Sequence, residues 1–174
     1  MKTTELILGG ARSGKSRYAL EQALAHTGSV AWVATATALD DEMRERIARH
    51  QAERPAHWVT VEAPRHLAAA LAQTRDQFVV VDCLTLWLSN WMCSDNMSGW
   101  PAEKKAFLQE IAHPRRMPLL LVSNEIGFGI VPENALARLF RDEAGRLHQD
   151  IARIVSTVTL VVAGIPLSVK EDKS

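Results

Sequence analysis

The sequence holds only two cysteines, Cys83 and Cys93, with no Cys-x-x-Cys pair. A disulfide framework and a cysteine zinc site are therefore excluded, and a reducing, cytoplasmic setting is expected. Net charge is missing as well, because 20 basic side chains meet 20 acidic ones. No global field draws nucleic acid or an anionic membrane, so any anion site has to be built locally. No apolar run approaches the roughly 18 residues of a membrane span. The opening MKTTELILGG lacks the apolar centre of a signal peptide. Internal repeats and low-complexity linkers are absent too. What is present is an ordinary globular mixture, 174 residues of which 47% are hydrophobic, long enough to bury a core within one domain.

The apolar residues come in short runs that end in small or polar residues: 5–10, 30–36, 78–83, 118–125 and 158–164. Most are nearly continuous, as strands covered on both faces require. Helical segments separate them, at 15–26, 41–53, 65–73, 102–111 and from 133 onward. Asp40 and Pro101 are start signals for the second and fourth of these. Strand and helix in alternation predict an α/β domain with a mostly parallel sheet flanked by helices. HWVTVE, at 57–62, alternates and reads as a short edge or hairpin strand, which adds a small antiparallel edge element. Residues 93–101 read as a loose loop, and the tail beyond Ser168 is expected to fray.

Gly9, Gly14, Lys15 and Ser16 fit the pattern G-x-x-x-x-G-K-[ST] between a strand and a helix. Glycines let successive N–H groups turn inward around an anion, and the helix that follows aims its positive end at the same point. Lys15 would reach the outer phosphates, Ser16 would ligate Mg²⁺, and Arg12 could touch a phosphate or simply face solvent. Such a loop needs an acid on a neighbouring strand for the metal, and Asp82 ends the run FVVVD. The plainer alternative makes Asp82 only a cap for the next helix.

His50 poses a different question. On a helix it shares a face with Met43 and Ile47, whereas Arg44, Glu45, Arg49 and Gln51 point elsewhere. A lone histidine on such a stripe is usually a core residue. Here Arg46 and Arg54 stand a turn to either side and Glu53 three residues on. Cations nearby favour a neutral, nucleophilic imidazole and suit a triphosphate. A neutral imidazole beside a nucleotide can attack its α-phosphorus and carry the nucleotidyl group covalently.

The stretches GGARSGKS, ATATALDDEMRERIARHQAERPAHWVTVEAP, VDCLTLWLSN, SNEIGFGIVPENALARLFRDEAGRLHQDIA and LVVAGIP span nearly the whole chain. Together they resemble the bifunctional adenosylcobinamide kinase / adenosylcobinamide-phosphate guanylyltransferase family of cobalamin biosynthesis. The resemblance implies a RecA-like phosphate-loop NTPase fold over residues 1–174, a single kinase/guanylyltransferase domain, and assembly as a homotrimer. It implies phosphorylation of adenosylcobinamide by ATP or GTP with Mg²⁺. It then implies transfer of GMP from GTP, through a histidine, onto adenosylcobinamide phosphate to give adenosylcobinamide-GDP. The family histidine falls on His50. The nucleotide contacts fall on Gly9, Gly10, Ala11, Arg12, Ser13, Gly14, Lys15 and Ser16, on Ala34, Thr35 and Ala36, on Gln51, Ala52, Glu53 and Arg54, and on Glu62 and Asp82. Lys15 joins His50 as catalytic, and Ser16 and Asp82 form the metal pair. His148 departs from the asparagine expected there, and the 92–101 region is short and idiosyncratic. No nucleic acid and no membrane span is expected among the partners. The rival readings are a monofunctional phosphate-loop kinase of small molecules and a nucleotide switch, with His50 structural in both.

Asn124 and Glu125, at the end of a strand, are further site candidates beside a loop holding Gly127, Gly129 and Pro132. Trp87, Trp91 and Trp100 are read as packing. His26, His57, His66 and His113 show no ligand spacing and are read as surface residues.

Overall fold

The computed structural model describes residues 4–38, 40–94 and 97–172, with the side chains of Glu42 and Arg46 outside the description. Seven strands form one sheet in the order β3-β2-β4-β5-β1-β6-β7. They are β1 (Thr4–Gly9), β2 (Val30–Ala34), β3 (Val59–Glu62), β4 (Phe78–Asp82), β5 (Leu119–Asn124), β6 (Thr157–Val162) and β7 (Ile165–Glu171). Every pairing is parallel except β6 with β7. Within the segment 57–62, Val59–Glu62 is an edge strand, as expected, but it pairs parallel with β2. The antiparallel element is instead the C-terminal hairpin. The tail that was expected to fray is held by its ladder to β6 through Glu171. Ala163 and Gly164, with φ of 52° and 79°, make the left-handed turn between β6 and β7, the geometry that joins twisted strands most tightly.

Among the described residues six α-helices connect the strands: α1 (Lys15–Leu24), α2 (Asp41–Ala52), α3 (Leu67–Gln73), α4 (Leu84–Met92), α5 (Trp100–Ala112) and α6 (Ala135–Ile154). Alternate residues of each central strand face opposite layers. Ala31, Val33, Val79, Val81 and Leu121 pack with Leu71 of α3, Trp87 of α4, Phe107 of α5 and Leu147 of α6. Ile7, Val30, Trp32, Val80 and Val122 pack on the other face against Ala19 and Ala23 of α1. One face is therefore thickly covered, and the other is left open beside α1. Trp87, Trp91 and Trp100 lie in the thick layer, Trp87 meeting Trp100 and Phe107 at centroid distances of 4.8 and 4.9 Å. They pack, as read from the sequence. His57, His66 and His113 are exposed, whereas His26 is half-buried with its ring 5.1 Å from Phe78.

Among the described residues no helix is long and apolar enough to cross a membrane. Cys83 is buried and Cys93 exposed, and neither forms a disulfide.

Candidate active site at the carboxyl edge of the sheet

Parallel strands point their carboxyl ends to one edge of the sheet, and ligands of such sheets gather there. Register fixes which residues arrive at that edge. Ala34 lies level with Glu62 on one side and Asp82 on the other. Gly9 is level with Asn124. The phosphate loop leaves β1 at this edge and runs into α1. Gly9 has no room for a side chain, because a Cβ would stand 2.4 Å from Ser13 Oγ and 2.7 Å from the carbonyl oxygen of Val161. Gly14 adopts φ 96°, a left-handed conformation natural to glycine. The loop is also buttressed from the hairpin side, since the Gly164 N–H donates to the Ser13 carbonyl at 2.8 Å. Lys15 is buried and its ammonium donates to the Gly10 carbonyl at 3.0 Å. Gly10, Ala11 and Arg12 are exposed at the loop's rim.

Asp82 is half-buried at the end of β4. Burial pushes its carboxyl above the ordinary carboxylate range, opposed by the neighbouring basic groups of His50, Lys15 and Arg54 and by a hydrogen bond from Ser16. The structure thus brings the proposed metal pair, Ser16 and Asp82, into contact. A carboxylate and a hydroxyl are hard oxygen donors, the set that Mg²⁺ takes from a protein when phosphates and water complete its shell.

Met43, Ile47 and His50 are each partly buried on the inner face of α2, with Arg44, Glu45, Arg49 and Gln51 exposed. The imidazole is not sealed in the core. It lines a cavity of about 370 Å³ together with Ser16, Arg17, Leu20, Trp32, Glu53 and Arg54. His50 Nδ1 lies 3.8 Å from Glu53 Oε2. Arg54 donates through Nε to the His50 carbonyl at 2.7 Å, and its guanidinium lies 4.8 Å from the Trp32 ring centre. Burial draws the Arg54 guanidinium down from its ordinary value, and Asp82 and Glu53 act against that. Trp32 in turn stacks on Trp58 at 6.3 Å. A histidine, a cation, an aromatic face and the start of α1 thus share one opening. Arg46, the other cation expected beside His50, lies outside the described side chains.

The remaining expected residues divide. Gln51, Ala52 and Glu53 are exposed at the end of α2, and Glu62 is exposed on the edge strand. Ala36 is half-buried just beyond β2. Thr35 is fully buried and its hydroxyl is already committed. It donates to the Cys83 carbonyl at 2.7 Å and accepts from the Cys83 N–H at 2.8 Å. Its own N–H donates to the Asp82 carbonyl. Thr35 therefore clamps the ends of β2 and β4 and fixes where Asp82 sits. Asn90 adds to the clamp by donating to the Thr35 carbonyl at 2.8 Å. Sequence reading missed this clamp and the pocket residues Arg17, Leu20 and Trp32. No spacing signal marks them, because they meet His50 only through packing of α1, β2 and α2. Asn124 donates to Thr85 Oγ1 at 2.8 Å, and the Glu125 N–H donates to the Gly9 carbonyl at 2.9 Å. His148 is buried, with Nε2 2.7 Å from Ser123 Oγ and Nδ1 3.8 Å from Glu125 Oε2.

Comparison with known proteins identifies relatives over nearly the whole chain. The family model described as cobinamide kinase / cobinamide phosphate guanyltransferase matches residues 5–169. The chain is 49% identical over 170 residues to the bifunctional adenosylcobalamin biosynthesis protein CobP of Pseudomonas aeruginosa, covering 95% of this chain and 96% of that one. It is 41% identical over 179 residues to the bifunctional adenosylcobalamin biosynthesis protein CobU of Salmonella typhimurium, covering 95% and 98%. Two solved structures share the fold at 12% identity. The flagellar accessory protein FlaH of Methanocaldococcus jannaschii aligns with a TM-score of 0.55 over 98% of this chain and 79% of its own. An ATPase from the type III secretion system of pathogenic bacteria aligns with 0.57 over 95% and 56%.

Proposed function

Since the chain belongs to the cobinamide kinase / cobinamide phosphate guanyltransferase family, we propose that its two reactions share the one phosphate-loop site and that His50 carries GMP between donor and acceptor. The activities themselves are those of an adenosylcobinamide kinase and an adenosylcobinamide-phosphate guanylyltransferase of cobalamin biosynthesis. The observation that carries the proposal is that His50 and Ser16 line the same cavity.

In the guanylyl step GTP lies with its phosphates on the loop, held by the N–H groups of residues 9–16 and by Lys15. Glu53 faces His50 Nδ1, which leaves Nε2 as the attacking atom. Nε2 bonds to the α-phosphorus, the bond to the bridging oxygen breaks, and pyrophosphate departs with the electron pair. A phosphate oxygen of adenosylcobinamide phosphate then attacks the same phosphorus and the N–P bond breaks, freeing the imidazole. Dividing the transfer in this way lets one pocket admit donor and acceptor in turn. In the kinase step the loop and Lys15 hold ATP or GTP for in-line transfer of the γ-phosphoryl group. Mg²⁺, held by Ser16 and Asp82, would supply charge neutralisation at the phosphates in both steps. Arg54 and Trp32 form the wall on which the nucleotide rests, and Gln51, Ala52 and Glu62 complete its rim. We further propose that the enzyme works in the cytoplasm as a homotrimer.

Incubation with α-labelled GTP tests the carrier directly. The wild-type chain should retain label after denaturation, stable to alkali and lost in acid, as a phosphoramidate is. His50→Ala should retain none. Equal labelling of the variant, or an unlabelled wild type with active kinase, would leave His50 structural and favour the monofunctional kinase.

A further inference from the structure

The site described above supplies phosphate ligands and a carrier imidazole, but no group that takes the proton from the hydroxyl phosphorylated in the kinase step. We infer that Glu125 is that group, a catalytic carboxylate. The inference rests on the single-site reading given above.

Position is the first ground. β5 lies between β4, which ends at Asp82, and β1, which feeds the phosphate loop. Asp82 is level with Val122 and Gly9 with Asn124. β5 thus runs two residues past the level of Asp82, about 6–7 Å at the usual rise. Glu125 follows, and its N–H is pinned to the Gly9 carbonyl at 2.9 Å. Its main chain therefore sits against the first glycine of the phosphate loop, between the loop and the acid that holds the metal.

Elimination is the second. Asn124 extends from the same strand end, but its amide is engaged with Thr85. Asp82 accepts from Ser16 and faces His50, Lys15 and Arg54. Glu62 stands on the edge strand, three strands from β5, roughly 14 Å at the usual strand spacing. Glu53 lines the cavity but faces His50 Nδ1 at 3.8 Å. Glu125 remains, a carboxylate with its side chain 18% exposed. Its setting is built. Oε1 accepts from the Gly127 N–H, and Oε2 faces His148 Nδ1 at 3.8 Å, with His148 anchored through Nε2 on Ser123. His148 is a positioning residue that backs the carboxylate from α6.

The step balances. The substrate hydroxyl oxygen bonds to the γ-phosphorus, and the bond from that phosphorus to the β,γ-bridging oxygen breaks. The electron pair leaves on the nucleoside diphosphate. The hydroxyl proton passes to Glu125, which becomes a neutral acid and later returns the proton to water.

Glu125→Gln keeps an oxygen to accept the Gly127 N–H and removes the base. The kinase reaction and guanylylation of His50 are measured on the same preparation, the first with adenosylcobinamide and ATP, the second with α-labelled GTP. A base of this kind contributes about 10²–10⁴-fold. The expected result is a fall in kinase kcat of tenfold or more, with KM for ATP and the labelling rate each within threefold of wild type. A kinase kcat within tenfold of wild type overturns the assignment. So does a parallel loss of labelling or a rise in KM for ATP beyond threefold, because either means that Glu125 only shapes the loop. Labelling also reports folding of the variant, and failure of labelling in the wild type would strike the carrier reading instead.

Discussion

At the scale of single residues, the site is defined by what neighbours do to charge. His148 shows this most cleanly. It stands where the family resemblance leads one to expect asparagine, yet it is buried and hydrogen-bonded to Ser123. Burial lowers its pKa below the ordinary value of 6.5, with Glu125 acting against the shift. The unfolded chain therefore takes up a proton at a pH where the folded chain does not. Stability from this residue is complete above about pH 6.5 and falls as the pH drops through that value toward the folded pKa. His148→Asn can keep a hydrogen bond to Ser123 and has nothing to titrate. Urea midpoints measured between about pH 7.5 and 5.5 should decline less steeply for the variant than for wild type. Parallel declines would assign the slope to other groups. Asp82 shows the opposite direction, a carboxyl raised by burial. Such a group is best ionised beside a divalent cation, which is the role proposed for it.

At the scale of elements, α2 differs from its neighbours. None of its described residues is fully buried, and its inner face carries Met43, Ile47 and His50 only partly covered. A helix so lightly held depends on its caps. Asp40 accepts the Met43 N–H at 2.7 Å, satisfying one of the free donors of the first turn. Asp40→Ala should cost about 1 kcal/mol of helix stability. It should speed hydrogen exchange at the Met43 and Arg44 amides and slow labelling of His50, while ATP binding at the loop is kept. Unchanged exchange at those amides would show that packing, not the cap, holds the helix. The α3–α5 side is built differently. Glu110 receives Arg75 through two hydrogen bonds and lies 3.8 Å from the buried Arg115, so that layer is tied by charge as well as packing. Rigidity there and lightness at α2 suit the role proposed for His50, which would meet first a donor and then an acceptor.

At the scale of the whole molecule, the sheet is a ruler. Its order places β1, β5 and β4 side by side, so that the phosphate loop, Glu125 and Asp82 reach one edge in sequence. The C-terminal hairpin closes the opposite flank of the loop through Gly164 and Ser13. Its last strand leaves Ile165, Leu167 and Val169 49–64% exposed, an apolar edge ladder of the sort that natural sheets cover. A trimer would cover it. Sedimentation equilibrium should return three times the 19.3 kDa chain mass, and Leu167→Glu should shift the chain toward monomer. A monomeric wild type would exclude the trimer.

How much of this was legible beforehand differs from residue to residue. The phosphate loop, Asp82 and the face of α2 that carries His50 were readable, because each depends on spacing within one strand, turn or helix. The parallel sheet was readable too, since near-continuous apolar runs suit strands buried on both faces. The pairing direction at the edges was not. HWVTVE alternates equally well in a parallel or a hairpin setting, and only the β2–β3 crossover decided between them. The tail beyond Ser168 was expected to fray as chain ends do, but its hydrogen-bond ladder to β6 holds it through Glu171. Thr35 was read as a nucleotide contact from kinship, and the structure gives its hydroxyl to the main chain of Cys83. By itself, then, the sequence determined the local devices: the anion cradle, the amphipathic helix and the acid ending a strand. Tertiary structure alone decided that these meet at one edge, that Trp32 and Arg54 wall the cavity of His50, and that Glu125 stands beside the loop. Spacing governs what lies within a turn or two of chain, whereas contacts across four strands follow from the order and register in which those strands pair.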